Sequence, residues 1–432
     1  MHGRRTLRLA VAPALAAALL AAILTAATGA SAAHRAGTTL TIWCWTPSDD
    51  ALKTADAGFT QADPDITLNY VQIKPQDVYQ KLQLDAAAGS GFPDVSCIED
   101  SHLAQFAKLG ILADITKQAT PYKKLIQAYK WTQATQNGRI YAFPWDAGPM
   151  ALFYRRSVLQ QAGINPNSIK TWADFYKAGL TLKQKTGLPI WLQSKSQNDA
   201  RFFEDLLWQR GLGYVDAKGR VVLDKNPKIL ATLQFLGKMW NAGILGDTAE
   251  WTDPWYSTIN DGKVGTLPMA VWMGTFLKSW LAPKTSGDWG VLPLPAWTKN
   301  GVRTANDGGS ALAIFKSSPN FNAAWQYIQW HLGRADVQAR MYAQSDIFPS
   351  LETAWRSPYM RQADPYYGGE KDRLTFESLA KQIPVAYIYS SDYEQMDSLM
   401  STELQKYALG KETAQQALQN AASAIRARTG RS

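Results

Sequence analysis

Cysteine and histidine are nearly absent from this chain: its 432 residues hold two of the first and four of the second. So few cysteines exclude a disulfide-dense scaffold. His2 and His34 fall in or beside the N-terminal leader, and His102 and His331 stand outside any ligand-spaced motif, so metal-dependent hydrolysis has no sequence support and no metal or other cofactor is expected. No phosphate-cradling glycine loop and no G-x-S-x-G elbow occurs. Long blocks of one charge are missing too. The formal excess of +9 drops to about +6 without the leader arginines Arg4, Arg5 and Arg8. Its densest remnant, Arg426, Arg428 and Arg431, reads as a solvated end, so no nucleic-acid partner is expected. Beyond the leader, no uncharged apolar run is long enough to span a membrane.

The leader itself has the form of a secretory signal over residues 1–33. It shows a basic start, an apolar run from Leu9 to Ala27 and the small-residue site Ala30-Ser31-Ala32. With no cysteine at that site, a lipid anchor is not indicated, and the mature chain is expected outside the cytoplasm. The unusual abundance is aromatic: 17 Trp, 18 Tyr and 14 Phe. A core is easily built from Leu, Ile and Val, so this many indoles point to aromatic surface with a second use, although large lobes also absorb Trp inside. Cys44 and Cys97 fall in two strands of one expected sheet. A disulfide if those strands are neighbours, or two buried thiols, both remain open.

The length exceeds one ordinary core, so two domains are expected. The N-terminal third alternates strand and helix: Thr39–Trp45, a helix carrying Leu52, Ala55 and Phe59, Ile66–Ile73, Gln76–Ala88, and Val95–Ile98. That order implies right-handed crossovers in an α/β sheet, with ligands bound beyond the strands' carboxyl ends. Trp45, Asp49, Glu99 and Asp100 are thereby placed at the mouth. Later strands are read at Ala151–Tyr154, Leu188–Leu192, Val264–Trp272 and Ala311–Phe315. Helices are read over Ile229–Ala242 and Thr413–Ala427.

Taken in order, a series of short landmarks resembles a known family. They include Thr41-Ile42-Trp43, the stretch Phe59 to Ile66, Ala86 to Ser90 with Pro93-Asp94-Val95, and Leu109 to Ile115. Further along come Ile140 to Pro144, Phe153-Tyr154-Arg155, Thr171 to Phe175, Met269 to Gly274, Gly308-Gly309, and Ala323-Ala324-Trp325 with Pro349. The chain is similar, over nearly its whole mature length, to the extracellular solute-binding proteins of ABC transporters, in their carbohydrate-binding, maltose-binding-protein-like branch. The resemblance implies two α/β lobes, each a mostly parallel sheet flanked by helices, with hinge crossovers between them. The first lobe would hold 38–149 plus 304–345, the second 150–303 plus 346–432. It further implies a monomer that closes on a mono- or oligosaccharide and delivers it to a membrane permease, without enzymatic turnover. Two positions depart from the family pattern: Arg155 replaces the usual Asn, and Phe276 the usual Trp.

A sugar offers apolar C–H faces and a rim of hydroxyls, so its site needs flat aromatic platforms beside acceptors. Candidates are Trp45, Asp49, Glu99, Asp100, Asp146, Trp191, Trp251, Asp253, Trp255, Trp272, Gly274, Asp307 and Gly308. Tyr387 and Tyr389 are further candidates for a rear wall, whereas Trp43, Trp240 and Trp325 read as core. Two rival readings keep some of these residues: a secreted carbohydrate-active enzyme with paired carboxylates, and the same fold holding a polyamine, peptide or polyol.

Overall fold

The structure, a computed structural model, describes residues 37–432 except 47, 198 and 385–388. The leader and Tyr387 therefore lie outside the described residues. The expected alternation holds in the first third. Strands β1 (Thr38–Cys44), β2 (Ile66–Gln72) and β3 (Val95–Glu99) run parallel, with β1 between the other two. Helices Ser48–Ala62 and Pro75–Ala88 make the crossovers. The second stops at Gly89, whose φ of 69° is the left-handed conformation that favours glycine. The continuous apolar character of Leu40, Ile42, Trp43 and Cys44 follows from burial on both faces of the sheet.

Apart from a small hairpin of Thr135–Gln136 with Arg139–Ile140, the later strands are β4 (Phe143–Pro144), β5 (Met150–Arg155), β6 (Trp191–Leu192), β7 (Leu245–Gly246), β8 (Thr266–Ala270), β9 (Trp289–Pro293) and β10 (Ser310–Ile314). The first sheet has the order β2-β1-β3-β10-β4. Strand β10 returns from the other lobe and so enters antiparallel to β3 and β4. In the second lobe β5 is flanked by β8 and β9, both antiparallel to it. The parallel pair β6–β7 joins at β8, where Thr266 N–H donates to the Ile190 carbonyl at 2.9 Å. The helix Trp172–Thr186 opens with a full capping box, Thr171 and Asp174 each serving the other's backbone amide.

Two separate buried clusters result. One gathers Leu40, Ile42, Phe59, Val95, Ile98, Phe106, Phe143, Leu312 and Tyr327. The other gathers Phe153, Trp172, Leu182, Phe203, Leu236, Trp255, Leu267, Trp289, Tyr367 and Ala421. The chain is thus a two-lobed mixed α/β protein. Trp43 and Trp240 sit in these cores and Trp325 packs half-buried against the first.

Cys44 and Cys97 form a disulfide, with Cα atoms 5.0 Å apart across the β1–β3 neighbours and a sequence separation of 53. A loop of that size should add about 4 kcal/mol through the entropy of the unfolded chain. Replacing both cysteines by Ala is expected to lower the unfolding midpoint of the first lobe alone. Calorimetry resolving two transitions checks this; an unmoved first transition would refute it.

Candidate functional site

Three strands of backbone pass between the lobes side by side. Asp307 N–H donates to the Gly148 carbonyl at 2.9 Å, Met150 N–H to Ala305 at 3.0 Å, and Ala147 N–H to Phe348 at 2.9 Å. Gly148 is required here, since a Cβ on it would stand 2.0 Å from the Asp307 carbonyl oxygen. The Asn306 amide ties the bundle. Its Oδ1 accepts from Tyr129 Oη and from Gly148 N–H, each at 3.0 Å, and its Nδ2 donates to the Gly308 carbonyl at 2.8 Å.

Beside these crossings opens a cavity of about 290 Å³. The first lobe contributes Trp45 and Glu99 from the carboxyl ends of β1 and β3, together with Asp146 and Ser310, and Ile347 lines it from the third crossing. The second contributes Arg201, Trp251, Trp272 and Phe276, and Asp307 to Gly309 close the floor. Seven sequence candidates therefore meet in one place: Trp45, Glu99, Asp146, Trp251, Trp272, Asp307 and Gly308.

The rings are held by one another. Trp251 lies 5.9 Å from Trp272 and 5.7 Å from Phe276 between centroids. Trp272 is fixed by donating Nε1–H to the Asp307 carbonyl at 2.9 Å. Trp251 has φ of 62°, an outlier for a bulky residue, and its ring is 42% exposed. Strain at a half-exposed indole facing a cavity fits a binding role better than a packing role. Opposite, Trp45 is braced edge-on by Tyr79 at 6.3 Å.

Charge is concentrated around one cation. Arg201 starts the helix Arg201–Trp208, whose entry is pinned by Ala200 N–H on Ser401 Oγ and Arg201 N–H on Asp199. Its Nε donates to Asp307 Oδ1 at 2.7 Å. Burial pushes the Glu99 carboxyl above its ordinary value against the pull of Arg201, and it pushes Glu250 up to about 8. Burial likewise raises Asp146, offset by Lys130 and by Ser310, whose backbone amide donates to it at 2.8 Å.

The other candidates lie elsewhere. Asp49, in the first turn of its helix, is engaged by Lys53 at 2.7 Å and by Thr46 at 3.1 Å. Asp100 turns inward to Lys130, and burial lifts it to about 6. Trp191 and Trp255 are core rings, the first packed on Phe202 at 6.0 Å and the second lying beneath Trp251 at 5.2 Å. Asp253 is exposed at the start of a helix. Gly274 is buried, where a Cβ would meet Tyr367 Oη at 2.8 Å. Tyr389 packs on Trp208 at 5.1 Å and Tyr393 at 4.5 Å. Of the two departures from the family pattern, Phe276 lines the cavity. Arg155 instead pins the second lobe, with Nε on Asp288 at 2.8 Å and Nη1 on the Ile259 carbonyl at 2.7 Å.

Comparisons with known proteins agree with the two-lobed fold. The family model described as bacterial extracellular solute-binding protein matches residues 45–338. An arabinooligosaccharide-binding protein of Bacillus subtilis is 27% identical over 310 residues, 70% of each chain. A lactose-binding protein of Rhizobium radiobacter is 26% identical over 357 residues, 80% of this chain and 82% of its own. Among solved structures, the ABC transporter associated binding protein from B. animalis subsp. lactis Bl-04, in complex with β-1,6-galactobiose, superposes with a TM-score of 0.77. It is 26% identical and covers 90% of this chain and 96% of its own. With its two lobes, three crossings and interlobe cavity, this chain belongs to the bacterial extracellular solute-binding protein family.

Proposed function

We propose that this solute-binding protein captures a carbohydrate by closing its lobes on it, and hands the cargo to the permease of an ABC transporter without altering a covalent bond. The lobes would be 38–149 with 304–345 and 150–303 with 346–432, and the protein would act as a monomer outside the cytoplasm after loss of residues 1–33. One observation carries the reading: indoles of the second lobe and carboxylates of the first line the same cavity. Stacking covers the C–H faces of a sugar while Glu99, Asp146 and Asp307 accept from its hydroxyls. Covering roughly 80 Å² on each of two platforms gives about 4 kcal/mol. Micromolar affinity needs about 8 kcal/mol, so the polar contacts supply the remainder. Closure would bring both walls onto the ligand by bending the paired crossings, a motion of the hinge type known for such proteins, and ligand would shift the population toward the closed form.

Titration calorimetry of the purified chain against sugars, polyols and polyamines tests this, with scattering to follow closure and chromatography to look for cleavage. A sugar that binds, compacts the envelope and is recovered intact is the expected result. Heat from polyamines alone would reassign the cargo, and cleavage products would make the protein an enzyme.

A further inference from the structure

The 17 tryptophans are almost all buried or half-buried. Two are exposed, Trp251 at 42% and Trp280 at 48%, and both belong to one run of touching rings. The run begins in the cavity with Trp272, Trp251 and Phe276. It continues from Phe276 to Trp280 at 5.9 Å, edge to face, and from Trp280 to Tyr256 at 5.0 Å. Trp280 does not line the cavity. It stands one turn beyond Phe276 in the wide turn Leu277–Leu281, closed by Ala282 N–H on the Leu277 carbonyl at 3.1 Å. Wide turns of this kind are rare and concentrate at functional sites.

We infer that the cargo is an oligosaccharide whose chain leaves the cavity over Phe276 and lies on Trp280, with Tyr256 holding that indole edge-on. The inference rests on the carbohydrate reading above. Core packing does not account for Trp280, because half of its surface faces water. A cavity of about 290 Å³ falls just below the range for ligand sites, roughly 300 to 1,000 Å³, so a longer chain must extend beyond it. A continuous aromatic path out of the cavity to an exposed indole runs over these rings. Flat apolar rings spaced along a groove suit successive sugar units, each offering a C–H face.

The test is calorimetry of the full chain on arabino-, galacto- and malto-oligosaccharide ladders of about one to six units, with wild type, Trp280→Ala, Trp280→Gln and Trp280→Phe. On any ladder that binds, affinity should rise with length. Trp280→Ala and Trp280→Gln should remove about tenfold from the longer members, the affinity carried by covering roughly 60 Å² of apolar surface. The shortest binding member should be unchanged, and Trp280→Phe should retain most of the gain. An equal change at every length, or none at any, overturns the outer platform while leaving sugar capture standing; a transporter seated on Trp280 would give that second pattern. Silence from every ladder defeats the carbohydrate reading itself, and this inference with it.

Discussion

Trp272→Ala is expected to weaken sugar binding about a hundredfold while both lobes stay folded. Trp272 is half-buried and lines the cavity, so its removal takes away a platform rather than a piece of core. Losing roughly 80 Å² of stacking surface costs about 2 kcal/mol. The lost hydrogen bond to the Asp307 carbonyl, which also steadies the Gly308 turn, adds about 1 kcal/mol. Together these amount to about two powers of ten in affinity. Asp253→Ala is the matched control. Its carboxylate is exposed on the adjoining helix, outside the cavity, and affinity should stay within about twofold of wild type. Calorimetry on a sugar that wild type binds, with thermal unfolding to verify the fold, decides the point. A Trp272→Ala affinity within threefold of wild type would move the site away from these rings.

The candidates that met in the cavity were readable because their positions follow from topology. Trp45 and Glu99 end parallel strands, and the crevice of an α/β sheet lies beyond such ends. Asp307 and Gly308 occupy a polar turn between two apolar segments, where the chain must cross. The misses have local causes. Asp100 is one residue past Glu99, but it begins a helix and so faces inward to Lys130. Trp251 and Trp255 share one loop, yet the positive φ of the first leaves its ring half-exposed at the cavity while the helix starting at Asp253 carries the second into the core. Periodicity does not distinguish them. Arg201 left no trace because its place depends on tertiary contacts at the start of its helix, with Ser401 and Asp307, which are distant in sequence. Its only advance signal was the imbalance of acids among the candidates, which calls for a cation somewhere.

That cation supports the second large effect. Arg201→Ala is expected to destabilise the second lobe by about 3 kcal/mol, the scale for stripping one partner from a largely buried ion pair. The loss should also depend on pH in a defined direction. Burial lifts Glu250 to about 8 and Asp397 to about 6, and Arg201 opposes the rise at both. An acid whose folded pKa lies above its unfolded one holds a proton that the unfolded chain has already released. The stability it contributes is fully present below the unfolded value, near 4, and is lost as pH climbs to the folded value. Without Arg201 those folded values rise further, so the variant's deficit, beyond the loss of the Asp307 pair, should be smaller at pH 5 than near pH 8. Arg201→Lys keeps the charge and should recover part of the loss at pH 8. Comparing thermal midpoints of wild type and both variants at the two pH values isolates the effect, since acids elsewhere in the chain cancel in the difference. A deficit of equal size at pH 5 and pH 8 would mean that Arg201 acts through packing and not through its charge on these acids.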